Sequence, residues 1–112
     1  MKEEEKNQTK GELFFHLIFM FQTAALQQMG KLINPITKQV ERNLEQAKYS
    51  IDILELLQEK TKGNLTEEEK KYLDNVLFDL RMNYLEELKK EEESKKENKK
   101  EEDKPKEETN NK

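Results

Sequence analysis

Cysteine and tryptophan are absent from the 112 residues, histidine occurs once, glycine three times and proline twice. Without cysteine there is no disulfide framework, no thiolate metal site and no sulfur nucleophile, as suits a reducing compartment. The single histidine, His16, cannot build a multi-histidine metal centre, and no Glu-x-x-His pair occurs, so the di-metal arrangement of ferritin-like bundles is excluded. The glycines stand isolated at 11, 30 and 63, which rules out a phosphate-cradling loop. A long hydrophobic run is also missing. The most apolar stretch, Leu13 to Met29, would rise only about 25 Å as a helix against the roughly 30 Å of a bilayer core. Gln22, Gln27 and Gln28 interrupt it further.

Charge is what the chain has in abundance: 41% of its residues are Asp, Glu, Lys or Arg, and the net charge is -4. Residues 1–11 carry three Lys against three Glu, and residues 89–112 carry nine Lys against nine acids, so both ends are formally neutral. The whole net charge falls within residues 12–88, where nine basic residues meet thirteen acidic ones. Nucleic acid is therefore not expected as a partner, because phosphate binding needs a basic patch and here Lys alternates with Glu. Segments this polar bury too little apolar surface to offset the entropy of ordering, so disordered tails are expected at 1–11 and 89–112. Alternatively, the Glu and Lys residues after Lys89 prolong the last helix as a frayed, solvated, salt-bridged rod that Pro105 ends. The N-terminal MKEEEKNQTKGE is too acidic for a secretory leader, and a cytoplasmic protein is expected.

Between the tails, hydrophobic periodicity predicts an all-α domain over 12–88 with helices at about 12–29, 38–62 and 66–90. Gly30 closes the first at a C′ position, and Asn34–Pro35 marks a break. The second carries Val40, Leu44, Ala47, Ile51 and Leu54 on one stripe, with Tyr49, Ile53 and Leu56 behind it. Gly63 and Asn64 end it where positive φ is needed, and Lys60 and Lys62 complement its last carbonyls. Thr66 with Glu69 reads as a capping box that starts the third helix. Its main stripe is Leu73, Val76, Leu77, Leu80, Tyr84 and Leu88, and Phe78, Met82 and Leu85 form a second, weaker one. The fold class is a three-helix bundle built on an αα-hairpin.

Candidate chemistry is sparse. His16, among Phe15, Leu17 and Ile18, reads as packed or groove-lining rather than catalytic. Glu41, Glu45, Asp52, Glu55 and Glu59 have helical spacing that suits a hard cation, but a solvated face balanced by Arg42, Lys48 and Lys60 explains them better. Arg81 is read as an intrabundle ion pair before a partner anchor. No catalytic, metal or cofactor residue is assigned, and no enzyme is expected.

Helix 1 projects apolar residues around most of its circumference, with a gap near His16 and Thr23, so one neighbouring helix cannot cover it. Phe14, Phe15, Ile18, Phe19 and Phe21 form the candidate interaction surface, and a homodimer with helix 1 near the interface is expected. An unidentified protein partner is compatible with the same surface. The alternative reading is a peripheral membrane protein that inserts this Phe-rich helix, although helix 1 has no Lys or Arg from Glu12 until Lys31.

The segments AALQQMG (24–30), Pro35 with Thr37, LEQAKYSIDILELLQEKTKGNLTEEEKKYL (44–73) and LFDLRMNY (77–84) together resemble the family designated domain of unknown function 1844. The specific part is 47–66. In the family pattern Gly often follows the Thr of the Pro-x-Thr segment, where this chain has Lys38, and that bears on the local turn. The resemblance implies a small bacterial cytosolic protein without an assigned activity and supplies no site residues.

Overall fold

A computed structural model describes the backbone of residues 3–111 and the side chains of residue 5 and residues 9–97. The disorder expected of the tails concerns in part residues 1, 2 and 112 and the side chains of 3, 4, 6–8 and 98–112, which lie outside the described residues. The protein is all-α: α1 (Glu3–Gln28), α2 (Leu44–Lys60) and α3 (Glu67–Asn111), with no strand among the described residues. Phe15 meets Tyr72 and Lys31 meets Glu86, so α1 and α3 run parallel, with α2 antiparallel to both. Ile18, Ala25 and Met29 from α1 and its end, Ala47, Ile51 and Leu54 from α2, and Leu73, Val76, Leu77 and Leu80 from α3 form one buried seam.

The expected stop and start signals operate as chemistry. Gly30 and Gly63 adopt φ of 83° and 82°, conformations that a Cβ disfavours. Thr61 Oγ1 donates to Leu57 O at 2.7 Å, closing the end of α2. In the capping box Glu69 N donates to Thr66 Oγ1 at 3.1 Å while Thr66 N donates to Glu69 Oε1 at 2.8 Å. Packing along α3 fades after Leu88 and Glu91, and residues 92–97 are exposed. That stretch is solvated, as expected of it, with one ion pair, Lys95 Nζ at 3.9 Å from Glu91 Oε1, and the helix backbone runs past the expected end near 90 and through Pro105 to Asn111.

The start of α2 differs from the expected residue 38. Asn43 is the N-cap, its side chain accepting from Gln46 N at 3.1 Å, and its own N–H donates to Gln28 O across the α1–α2 junction at 2.7 Å. A helix begun at 38 would need that N–H for Gln39 O, which instead accepts from Asn34 N at 3.0 Å. Residues 31–43 therefore form a loop wound on Asn34, whose carbonyl accepts from Lys38 N at 2.8 Å and whose side chain accepts from Ile36 N at 2.9 Å. Val40, assigned from periodicity to the core stripe, is 59% exposed as a result.

Lys38 has φ of 62°, the sole positive φ at a non-glycine among the described residues. A left-handed conformation costs a residue with a Cβ about 1–2 kcal/mol, partly offset by the greater unfolded-state entropy of Gly. Lys38→Gly is expected to raise the unfolding free energy by about 0.5–1 kcal/mol in urea titration, and no change or a loss would contradict the strain argued for this turn. Leu77→Ala, which empties the centre of the seam, is expected to lower it by about 2–5 kcal/mol in the same measurement.

Candidate interaction surface

Helix 1 turns its Phe face further inward than periodicity alone suggests. Ile18 is fully buried at the seam, and Phe14 and Phe21 pack half-buried against it. Phe15 is also exposed only in part along the chain's Tyr72 side, meeting that ring edge-on at a centroid distance of 5.1 Å, so Phe19, 54% exposed, is the ring of this set that presents most of itself to water. Of the five residues first assigned to the interaction surface, Ile18 is therefore core, and Phe14, Phe15 and Phe21 mainly hold the bundle together. An all-round apolar helix gives no phase from its own sequence; the neighbours choose the buried side.

The exposed apolar side chains lie elsewhere. On α1 they are Leu13, Leu17 and Met20, and on α2 Tyr49 and Leu56. The 31–43 loop exposes Leu32, Ile33, Ile36 and Val40. On α3 the second stripe, Phe78, Met82 and Leu85, stands outward opposite the buried one at 63%, 55% and 59% exposure.

Polar groups are mostly occupied with one another. Arg81 Nε donates to Glu55 Oε1 at 2.9 Å, which makes it the intrabundle pair expected of it. Asp52 takes Lys48 at 3.1 Å on its own helix. His16 is exposed, in the gap of the apolar circumference. A groove of about 710 Å³ at the α2–α3 turn is lined by Gln58, Lys70 and Asp74 among others, but Gln58 Nε2 donates to Asp74 Oδ1 at 2.6 Å and Lys70 stands 3.9 Å away. A second, of about 260 Å³, is lined mostly by the amides of Gln27, Gln28, Asn34, Asn43 and Gln46, with Glu41 the sole acid. Neither holds a nucleophile beside a base. Among the described residues no three His, Asp or Glu side chains gather to hold a metal.

One cluster escaped periodicity altogether. Glu87 is buried where the 31–43 loop crosses α3, and its carboxylate receives Lys31 at 3.0 Å, Lys90 at 3.1 Å and Arg42 at 3.4 Å. Arg42 also donates to the Glu87 carbonyl at 2.9 Å. Glu86 shares Lys31 and Lys90 at 3.2 and 3.3 Å. Burial works to raise the Glu87 pKa, but the hydrogen bonds and charges of Lys31 and Lys90 outweigh it and hold the carboxyl below its ordinary 4.5. Lys31 is raised above 10.5, first by its hydrogen bond to Glu87. In sequence Glu87 is one more acid in a run of Glu and Lys; only the loop that folds onto it makes it different.

The stability carried by Glu87 is complete above its unfolded value near 4.5 and drains away as pH falls through the lower folded value. Glu87→Gln is expected to cost on the order of 1–3 kcal/mol at neutral pH and to flatten the acid limb of the stability profile below about pH 4.5. An unchanged acid limb would show that the cluster is not coupled to folding.

No helix among the described residues is long and apolar enough to cross a membrane. No curated protein and no solved structure matches the chain. The profile of the family described as Domain of unknown function (DUF1844) matches residues 12–86, which takes in the packed parts of all three helices and the loop that crosses α3. The chain belongs to the DUF1844 family.

Proposed function

We propose that this protein is a non-enzymatic helical interaction module of the bacterial cytosol that works by self-association. The observation that carries the reading is the outward apolar surface: each of the three helices leaves large hydrophobic side chains exposed although the bundle between them is closed. The groove at the α2–α3 turn supports it too, since Gln58, Asp74 and Lys70 there meet one another and converge on no reacting position. Catalysis, a metal and a cofactor play no part in it. The cysteine-free composition suits a reducing compartment.

Light scattering coupled to size exclusion is expected to give about twice the 13.5 kDa chain mass at micromolar concentration, falling toward the single-chain mass on dilution. A constant 13.5 kDa species at micromolar concentration would overturn the proposal, as would co-flotation with anionic vesicles in place of a soluble oligomer.

A further inference from the structure

The outward stripe of α3 is written so that it fits itself in reverse. At about 100° per residue, Phe78, Met82 and Leu85 point away from the buried Leu73, Val76, Leu77 and Leu80, at the centre of a strip roughly 80° wide. The same strip continues in both directions with charged residues only. Toward the N-terminus come Asp74, Lys71 and Glu67; toward the C-terminus come Lys89, Glu92 and Lys96. Read outward from the apolar centre, the signs are minus, plus, minus on one side and plus, minus, plus on the other.

We infer that α3 pairs antiparallel with α3 of a second copy, about a two-fold axis beside Met82. This deepens the self-association proposed above and rests on it. In that register Phe78 of one protomer lies against Leu85 of its partner. Lys71 then faces Glu92 and Glu67 faces Lys96, while Lys89 comes to the Asp74 that Gln58 and Lys70 already approach, each pair occurring twice. A parallel pairing stacks Lys71 on Lys71 and Lys89 on Lys89, so charge selects the direction and the three apolar residues select the register. Among the described residues Glu67, Lys71, Lys89, Glu92 and Lys96 enter no ion pair within the chain, which leaves them to meet a partner. The six charges of the strip sum to zero, so it offers no bias toward an anionic surface or a strongly charged protein, whereas its own reversed copy answers every sign. Because the contact is isologous it closes on two chains and does not propagate into filaments.

The full-length chain tests this by analytical ultracentrifugation of the wild type, Lys71→Glu, Glu92→Lys and the double swap, with circular dichroism melting curves to confirm folding. Each single reversal turns two attractive contacts per dimer into repulsive ones and is expected to raise the dimer Kd about tenfold, while the double swap restores it. As the chain has no native cysteine, Met82→Cys places the only thiol beside the axis, and mild oxidation is expected to link two chains through it; Phe19→Cys, off the strip, is expected to stay unlinked. A dimer whose Kd ignores both reversals, and whose Met82→Cys variant does not link on oxidation, would overturn this pairing while leaving self-association intact. A wild-type monomer would overturn both.

Discussion

Three helices around one seam give each helix two neighbours and therefore one side without any, and the rest of the structure follows from that constraint. The apolar surface here is distributed as if for a larger assembly. α1 is apolar nearly all round, and α2 and α3 each carry a second stripe behind the one they bury. The seam takes Ile18, Leu54 and Leu77 and their neighbours, and what it cannot take is turned outward. Burial of these residues inside one chain would need a fourth helix, and the packed part of this chain has three.

The connection between α1 and α2 is held by electrostatics rather than by apolar packing. Its hydrophobic residues are exposed, its backbone winds on the Asn34 carbonyl and amide, and it contains a lysine in the left-handed region. Arg42 and Lys31 fasten both its ends to Glu87. Because the carboxylate is buried and charged, loss of any one cation leaves desolvation poorly offset, which makes this loop the most ionic of the tertiary contacts.

Legibility in the sequence followed the range of the interaction. The Thr66–Glu69 capping box, the positive φ of Gly30 and Gly63 and the buried stripe of α3 are all local, decided within four residues, and all were readable. The Arg81–Glu55 pair was readable in kind, as an intrabundle contact, although not in partner. The start of α2 was not readable, because it depends on Asn43 N–H reaching Gln28 O across a tight junction, and Val40 was misplaced with it. The buried face of α1 was unreadable for a different reason: Phe15, Ile18 and Phe19 are equally apolar, and only the position of Tyr72 and the seam distinguishes them. Glu87 gains its meaning from Arg42 and Lys31, which lie 45 and 56 positions before it. Candidate surface residues were thus legible as a composition, many large apolar side chains on few helices, but not as a face.

The two connections, 29–43 and 61–66, also set an order of assembly. Contacts between α2 and α3 begin at a separation of 16 residues, with Gln58 and Asp74, whereas Tyr72 reaches Gln22 over 50 and Lys31 reaches Glu86 over 55. Closing the longer loop costs about 1 kcal/mol more in chain entropy. The α1–α2 contacts begin just as near, 15 residues apart at Gln28 O and Asn43 N, so either hairpin can form first and the α1–α3 face is the last to close. The same face is the first to open, and because Phe15 meets Tyr72 there, its opening bares aromatic surface to the aqueous phase.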